Sequence, residues 1–385
     1  MVRVGLFQCE HYTHTVIREI LENGYSMIGF SPRVFNASRI ALKPNLLSSA
    51  LPESAVITHP QFFRAVAESV IDHGGRPVLV ESPAVAPLSS ALAKGQYGDI
   101  IKTLGIEVPQ KSEVRKLSYP EGKVFRYFDV AGEIFEVDRV VNIPKFKTHG
   151  LTYITAAVKN LFGVIPGLRK SQMHMRFSDR HSFSEFLLDL NGALLDRFRG
   201  RGSILHIMDA IVGMEGEGPG SSGKPRELGA LIMGEDALAV DYVGCSLSGL
   251  DLKQAATITE GFKRKFFVSS PDEIEIVGDT LDDFQVPGFA PPSVSPGSVF
   301  LRGAAASPLV LKLFMDRPEP RQGTCILCYR CMQICPNGAI SKADKNRKVP
   351  KYDYDRCIRC FCCSEVCPEA AIRRRKGVLQ WVLRV

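Results

Sequence analysis

The chain has 385 residues, of which 45% are hydrophobic and 23% are charged, and its formal net charge is +7. This composition is ordinary for a globular protein and excludes wholesale disorder, a collagen-like repeat and a coiled coil. The length predicts two or three domains.

Strands and helices alternate along the first 285 residues. The hydrophobic patterns predict strands at Val2–Phe7, Arg39–Leu47, Pro77–Val80, Val137–Ile143, Ile204–Val212, Leu228–Met233 and Glu273–Val277. They predict helices at Thr15–Glu22, Gln61–His73, Tyr97–Leu104, Thr152–Phe162, Phe183–Phe198 and Ala237–Leu247. This alternation favours an α/β fold, with a mainly parallel sheet and helices on both of its faces.

The rest of the chain differs in composition. Prolines at 287, 291, 292 and 296 among small residues predict a linker at 286–310. Residues 311–385 then form a small cysteine-rich module, which we expect to be α+β. The predicted domains are therefore 1–285 and 311–385, joined by this proline-rich segment.

The sequence contains no run of about 18 apolar residues, which a membrane-spanning helix would need. The first residues, Met1–Gly5, lack a secretory signal and lead directly into a predicted strand. We therefore expect a cytoplasmic protein without a membrane span, in which cysteines bind metal more readily than they form disulfides.

Nine of the eleven cysteines lie between Cys325 and Cys367, and eight of them repeat one spacing. Each repeat has the form C-x2-C-x2-C-x3-C-P, beginning at Cys325 and again at Cys357. This is the run of bacterial proteins that hold two [4Fe-4S] clusters, in which the fourth cysteine of each run ligates the other cluster. The predicted ligands of one cluster are Cys325, Cys328, Cys331 and Cys367, and those of the other are Cys357, Cys360, Cys363 and Cys335.

Structural zinc is the alternative reading of four cysteines, but zinc sites need neither the third cysteine of each run nor the prolines. Cys362 is surplus to this spacing, and Cys9 and Cys245 lie far from it. The segment 311–385 holds 16 Lys or Arg and 7 Asp or Glu. Because each oxidised cluster with its thiolates carries about −2, two clusters would offset much of that charge. Nucleic-acid binding through the basic module is therefore not favoured.

The cysteine module resembles the two-[4Fe-4S] bacterial-type ferredoxins over about residues 320–375. The resemblance implies electron transfer in single steps at low potential, through both clusters in series. It also implies a redox partner protein as electron donor or acceptor.

Five polar segments stand out between apolar flanks in the first domain. They begin at Lys43 (K-P-N), Thr58 (T-H-P), Asn142 (N-I-P-K-F-K-T-H), Val158 (V-K-N-L-F-G) and Gly213 (G-M-E-G-E-G-P). Together they resemble domain-of-unknown-function family 362 over about residues 38–250. The resemblance implies an iron–sulfur partner and no particular reaction.

The segment after Ile143 predicts an anion site. If the chain stays extended, Lys145, Lys147 and His149 point to one side, beyond the strand's carboxyl end, where ligands bind in open α/β sheets. A helix beginning at Thr152 would add positive partial charge. We predict Lys145, Lys147, His149 and Lys159 as catalytic residues, and Lys43, Asn45 and Asn160 as substrate-binding residues.

Purely structural roles remain open for these residues. The lysines could be solvated or paired with acids. His59 and His174 could also transfer protons, although His59 before Pro60 could simply contact a helix start. Glu215, Glu217 and Asp209 could bind a metal or could belong to a solvated loop.

No flavin or nicotinamide motif is recognisable. Gly218 to Gly223 matches G-x-G-x-x-G, but a predicted strand follows it where a dinucleotide site needs a helix. The sequence therefore predicts an iron–sulfur oxidoreductase in which two [4Fe-4S] clusters exchange single electrons with a small anionic substrate. The alternative is an electron-transfer or accessory protein that binds a partner redox enzyme and has no chemistry of its own.

Overall fold

The computed structural model describes residues 1–46, 48–83, 85, 87–109, 113–199, 202–264, 268–284, 286, 288–293, 315–345 and 347–377. The strands are β1 Val2–Gln8, β2 Arg39–Pro44, β3 Arg76–Leu79, β4 Val114–Ser118, β5 Tyr127–Ala131, β6 Arg139–Ile143, β7 Lys145–His149, β8 Tyr153–Thr155, β9 Ile204–Gly216, β10 Gly223–Gly234, β11 Ile274–Gly278, β12 Arg317–Pro320, β13 Ile340–Ser341, β14 Lys351–Tyr352 and β15 Ile372–Arg375. The α-helices are α1 His14–Ile28, α2 Pro60–Asp72, α3 Leu88–Lys94, α4 Gly98–Leu104, α5 Ala157–Asn160, α6 Arg169–Arg176, α7 Arg180–Arg197, α8 Ala237–Leu247, α9 Ala256–Arg264, α10 Arg330–Ile334 and α11 Cys362–Glu365.

Among the described residues, nine strands form one mixed sheet, in the order β11-β1-β10-β9-β6-β2-β3, with β7 beside β9 and β8 beside β7. The pairs of β2 with β3 and β6, of β9 with β6 and β7, and of β1 with β11 are parallel. The pairs of β10 with β1 and β9, and of β7 with β8, are antiparallel. The predicted mainly parallel α/β sheet is confirmed.

Helices cover both faces of this sheet. On one face, Ile17 and Leu21 of α1 and Phe62 of α2 are buried in one apolar core. On the other face, Phe186 of α7 and Val240 of α8 belong to a second core. The sheet is therefore the middle layer of three, which leaves its edges and strand ends as the places where polar side chains can gather.

The strand predicted to end at Ile143 continues beyond Pro144 as β7. The Asp209 N–H donates to the Pro144 carbonyl at 2.9 Å, so β9 pairs with β6 before the proline and with β7 after it. Lys145 to His149 are consequently strand residues inside the sheet and not a loop beyond it.

The helix predicted at Thr152–Phe162 is wrong in its first half. Residues Tyr153–Thr155 form β8, because they pair with β7, and Thr155 lies opposite Lys147. Helix α5 begins only at Ala157 and is four residues long, followed by a 3₁₀ turn at Leu161–Val164. Thr152 therefore supplies no helix N-terminus to the predicted anion site.

The cysteine module contains two short antiparallel pairs, β12 with β15 and β13 with β14, and the helices α10 and α11. Of the proline-rich segment predicted as a linker, residues 287 and 294–310 lie outside the described residues. The predicted domain boundaries remain a prediction. Within the described part of the chain, the helices are too short or too polar to cross a bilayer.

Candidate functional site

Strand β7 carries three titratable side chains that the alternation of a strand places on one side: Lys145, Lys147 and His149. All three are almost wholly buried, since none exposes more than 1% of its surface. Their partners differ along the strand. Lys145 meets Asp209, Lys147 meets Asn45, and His149 meets Glu365 of the cysteine module.

Lys145 lies in a paired, hydrogen-bonded group. Its Nζ donates to Asp209 Oδ2 at 2.9 Å and to the Tyr12 hydroxyl at 2.6 Å. Tyr12 in turn donates to Asp209 Oδ1 at 3.0 Å and stacks on the His59 ring, with the centroids 3.7 Å apart. Burial lowers the pKa of Lys145, and the Asp209 carboxylate opposes this shift. Lys145 is thus an ion-paired residue, and Tyr12 and His59 link the pair toward the surface.

Among the described residues, the hydrogen-bond partners of Lys147 are all neutral. Its Nζ donates to Asn45 Oδ1 at 2.8 Å and to the Val56 carbonyl at 2.7 Å. Burial lowers the pKa of Lys147 well below its ordinary value, and the nearby Lys159 lowers it further. An unbalanced buried ammonium is costly, so this position favours either a neutral amine or a bound anion.

An asparagine network holds Lys147 in place. Asn45 Nδ2 donates to Asn160 Oδ1 at 2.9 Å, and Asn160 Nδ2 donates to Asn142 Oδ1 at 2.8 Å and to the Lys43 carbonyl at 3.0 Å. Asn45 and Lys43 lie at the end of β2, and Asn160 lies on α5. The predicted substrate-binding residues are therefore brought together with Lys147, although the two asparagines are occupied by each other.

Two lysines share one carboxylate at the end of β2. Lys43 Nζ binds Glu81, and it also donates to the Pro44 carbonyl at 2.8 Å. Lys170 lies 3.7 Å from the other Glu81 oxygen. A Cβ on Gly163 would overlap the Lys43 side chain, so the glycine of the K-N-L-F-G segment makes room for the lysine.

Lys159, His149 and His174 converge where the cysteine module meets the sheet. Among the described residues, the Lys159 ammonium makes no hydrogen bond or ion pair, and Glu365 and Cys362 act on it only through space. Burial lowers its pKa, and these two groups oppose the shift. We call Lys147, His149, Lys159 and His174 the lysine–histidine site.

In the part of the chain that the structure describes, one buried ring nitrogen of each histidine makes no hydrogen bond. His149 Nδ1 accepts from the N–H groups of Leu151 and Thr152, at 3.0 and 3.2 Å, which leaves the proton on Nε2. That Nε2 lies 3.2 Å from Glu365 Oε1 but is too poorly aligned for a hydrogen bond. His174 Nδ1 is also unpartnered, and its ring stacks on Phe183 at 4.3 Å.

Electrostatics leave the two rings neutral. Burial lowers the pKa of His149 to about 3 and that of His174 to about 4. Burial raises the pKa of Glu365, but His149 and Lys159 outweigh this effect and lower it to about 2, so Glu365 is a carboxylate. Of the buried or largely buried lysines around the site, Lys43, Lys145 and Lys170 lie beside the Glu81 or Asp209 carboxylate. Lys147 and Lys159 form no ion pair among the described residues, so a bound anion would supply the counter-charge that keeps them protonated.

The two cysteine loops fold as copies of one another. Leu327 and Tyr329 in the first loop have positive φ angles, as do Arg359 and Phe361 at the same offsets in the second. Such angles are strained for bulky residues and persist only where the surroundings impose them. The Cys335 and Cys367 sulfurs each accept the N–H four residues later, at 3.2 Å.

A cavity in the module tests whether a cluster fits. Four of the residues that line it are Cys325, Cys328, Cys331 and Cys367, the set that the spacing assigns to one cluster. Soft thiolate ligands at this spacing suit an iron–sulfur cluster. The Tyr352 hydroxyl lies near Cys331 and Cys363, one predicted ligand of each cluster, and makes no hydrogen bond among the described residues.

The two loops differ in exposure. In the first, Cys328 is exposed and 62% of the Ile326 surface is accessible to solvent. In the second, the corresponding Cys360 is partly buried and the additional Cys362 is buried. The second loop lies against the α/β sheet, where Ser221 Oγ donates to the Cys367 carbonyl at 3.1 Å.

Other candidates from the sequence have structural partners. His59 Nδ1 accepts from the Gln61 N–H at 3.2 Å and so caps α2. Glu215 and Glu217 accept from the N–H groups of Ala290 and Ser293, while Asp209 lies apart with Lys145. These acids therefore form no common site. In the segment from Gly218 to Gly223, the first five residues belong to the turn between β9 and β10, and Gly223 begins β10.

Sequence reasoning missed Glu365, Glu81 and Tyr12 and set His174 aside. Glu365 lies between two ligand cysteines, and no local pattern shows that it faces the sheet. Lys159 of the V-K-N segment lies near His174 of α6, and this proximity depends on the tertiary fold. Only the density of lysines among apolar residues hinted that carboxylate partners were needed.

Comparisons with known proteins agree with this architecture. A family model described as "Domain of unknown function (DUF362)" matches residues 40–246, and one described as "4Fe-4S dicluster domain" matches residues 324–371. The thylakoid-associated protein sll1697 of Synechocystis sp. (strain ATCC 27184 / PCC 6803 / Kazusa) is 33% identical over 214 residues. That match covers 55% of this chain and 64% of the relative, so the chain spans less than two thirds of its length.

Two solved structures are also similar. The lactate racemase apoprotein from Thermoanaerobacterium thermosaccharolyticum is 15% identical with a TM-score of 0.41, over 64% of this chain and 57% of that one. A protein from Thermotoga maritima is 13% identical with a TM-score of 0.39, over 63% of this chain and 60% of that one.

Proposed function

We propose a function from the premise that this chain belongs to the domain-of-unknown-function family 362 and carries a C-terminal 4Fe-4S dicluster domain. The dicluster domain makes it an iron–sulfur electron-transfer protein. We infer that two [4Fe-4S] clusters, held by the eight cysteines of the two runs, pass single electrons to or from a small anion. That anion binds at the lysine–histidine site.

One observation carries this proposal: the second cysteine loop and the lysine–histidine site share a boundary. Glu365, between Cys363 and Cys367, lies 3.2 Å from His149. Cys362 lies close enough to Lys159 to oppose the shift in its pKa. A short path from a cluster to the site is what a catalytic arrangement needs, whereas a pure carrier needs no buried cationic site behind its cluster.

The chain's own residues have distinct roles in this proposal. Lys147 and Lys159 hold the anion and offset the charge it gains on reduction. His149 and His174 are neutral rings that hold a proton at Nε2 or present a lone pair. Lys147 is positioned by Asn45, which is held by Asn160, and Asn160 is held in turn by the Lys43 carbonyl. Lys145, hydrogen-bonded to Asp209 and Tyr12, connects strand β7 to the surface. When bound, each cluster supplies or accepts one electron at a time.

Reoxidation of the reduced clusters tests the proposal. The reconstituted full-length protein is reduced under anaerobic conditions and mixed with single anions: pyruvate, oxaloacetate, nitrite or sulfite. We expect one of these anions to accelerate reoxidation of the clusters. The reaction is monitored as the recovery of cluster absorbance near 400 nm, which is lost on reduction. Lys147→Ala and Lys159→Ala should slow that reaction about 10²-fold while the clusters remain reducible.

Lys116→Ala, at an exposed position on β4, is the matched control and should behave as wild type. If no anion reacts faster with the wild type than with the Lys147→Ala and Lys159→Ala variants, the lysine–histidine site does not bind the electron acceptor.

The second candidate is an electron carrier or accessory protein for a partner redox enzyme. The near-complete burial of Lys147 and His149 favours it, because a substrate must displace packed side chains to enter. Capture of a redox enzyme by the wild type from an anaerobic extract, together with an unreactive anion series, is the result expected for this candidate.

A further inference from the structure

The cysteine module has one exposed end and one buried end. The first loop presents Ile326 and Cys328 to solvent, whereas the second loop places Glu365 3.2 Å from His149 of the sheet. Electrons that reach the buried site from outside the molecule therefore enter most directly at the first loop.

A strongly basic hairpin flanks that exposed loop. Strands β13 and β14 form it, and residues 342–351 contain Lys342, Lys345, Arg347, Lys348 and Lys351 but only one acid, Asp344. All five cations are exposed. We call the described residues 340–345 and 347–352 the basic hairpin.

Contacts fix the basic hairpin beside the first loop. The Ala343 N–H donates to the Tyr329 hydroxyl at 3.4 Å, and Pro350 and Tyr352 line the same cavity as Cys325, Cys328 and Cys331. The only internal ion pair of its cations among the described residues is Arg347 with Asp344, at 3.9 Å. Its charge is therefore available to a partner.

A second basic run of the module, Arg373 to Arg375, is paired within the molecule. Arg373 and Arg375 both bind Glu319 across the β12–β15 pair. Arg374 lies 3.3 Å from both Asp316 and Glu217, and its guanidinium lies over Phe361. Within the described part of the module, the hairpin therefore offers an exposed run of cations beside a cluster loop.

We propose that the basic hairpin and the exposed first loop form the docking surface for an acidic protein that carries single electrons. Five cations exceed the charge of about −2 that a [4Fe-4S] cluster with its thiolates places beneath the loop. Complementary charge steers such a protein to this face and brings its redox centre to the exposed cluster. A nucleic acid or a lipid surface would use the cations but would have no use for the exposed Ile326–Cys328 loop.

This inference rests on the electron-transfer part of the proposed function and not on its substrate. Its test measures electron entry alone, so an unreactive anion series would leave it standing.

Charge reversal in the full-length protein tests the docking surface. Lys345→Glu/Lys348→Glu is compared with wild type by stopped-flow reduction of the clusters, with an acidic flavodoxin in its reduced form as the probe. At low ionic strength we expect the second-order rate constant to fall roughly tenfold or more, and the difference to shrink at high salt. Reduced methyl viologen, a small donor that needs no docking surface, should reduce both proteins at similar rates.

Lys94→Glu/Lys102→Glu is the matched control, because both lysines are exposed but belong to α3 and α4 of the sheet domain. Iron content and the EPR spectrum of the reduced protein verify that each variant holds its clusters. Equal flavodoxin rates in the wild type and the hairpin variant would overturn the proposal. The proposal would also be overturned if the hairpin variant lost binding to vesicles with 30% anionic lipid, or to duplex DNA, while flavodoxin reduced it at the wild-type rate.

Discussion

Glu81 is the residue on which the buried charges at the end of β2 depend. It is the shared partner of Lys43 and Lys170, and both Glu81 and Lys43 are nearly inaccessible. Replacing one member of a buried pair leaves the other charge uncompensated, which typically costs about 3–5 kcal/mol. Glu81→Ala should therefore lower the free energy of unfolding by about that amount, measured by anaerobic urea unfolding at pH 7 with far-UV circular dichroism.

An exposed ion pair supplies the comparison. Arg39 and Glu107 lie 3.0 Å apart with much of each side chain in solvent. Surface pairs contribute about 0–1 kcal/mol, so Glu107→Ala should change stability by less than that. Equal losses in the two variants would show that Glu81 does not hold the lysines in place.

At the scale of the element, α5 is too short to stand alone and is anchored by one carboxyl group. The N–H groups of Ala157 and Val158 donate to Asp241 of α8, and α5 carries Lys159 and Asn160. Burial raises the pKa of Asp241 to about 8, although these two N–H groups oppose the shift. The position of the lysine–histidine site therefore depends on a carboxyl group that is expensive to ionise.

This raised pKa predicts a pH dependence. The folded chain keeps the proton on Asp241 at pH values where the unfolded chain, with a pKa near 3.9, has lost it. The stabilising contribution is thus complete below pH 4 and is lost as pH rises toward 8. Asp241→Asn cannot ionise, so the apparent Tm of the variant relative to wild type should rise between pH 6 and pH 8. The exposed Asp72→Asn is the control, and a difference that is constant with pH would contradict the prediction.

The turn between β9 and β10 is the element that holds the cysteine module against the sheet. A Cβ on Gly220 would lie 2.8 Å from the Glu365 carbonyl oxygen and 3.0 Å from its Cα, both backbone atoms that cannot move cheaply. Gly220→Ala should therefore displace α11 from the sheet. We expect faster hydrogen exchange in the β7 peptide, measured by mass spectrometry.

Gly98→Ala serves as the control for that substitution. Gly98 begins α4, and an added Cβ there would meet nothing within 4 Å. Alanine favours helix, so this variant should exchange as wild type or more slowly. If both variants leave β7 exchange unchanged, the turn does not position the module.

At the scale of the whole molecule, the sequence predicted what is local and missed what the fold brings together. The cysteine spacing alone predicted the dicluster module, because each run supplies three ligands of one cluster within one short segment. Strand alternation correctly put Lys145, Lys147 and His149 in one row. Pairing with β7 made Tyr153–Thr155 a strand against its helical pattern, and the nearness of Glu365 to His149 follows only from docking of the module on the sheet.

The unequal exposure of the two loops predicts unequal release of iron. A chelator reaches the first cluster through the exposed Cys328, whereas the corresponding cysteine of the second loop, Cys360, is partly buried and that loop packs its Glu365 against His149 of the sheet. Anaerobic treatment of the reconstituted protein with bathophenanthroline disulfonate should release about half of the iron in a fast phase and about half in a slow one.

Variants separate the two phases. Gly220→Ala should accelerate the slow phase more than the fast one. The turn contacts the second loop directly at Glu365, whereas it meets the first cluster only through one ligand residue, Cys367. Lys345→Glu/Lys348→Glu should leave the amounts of iron released in the two phases unchanged. Only the rates should fall slightly, because the added negative charge repels the anionic chelator. A single phase in the wild type would mean that the two clusters are equally accessible, and electrons would then have no preferred end at which to enter.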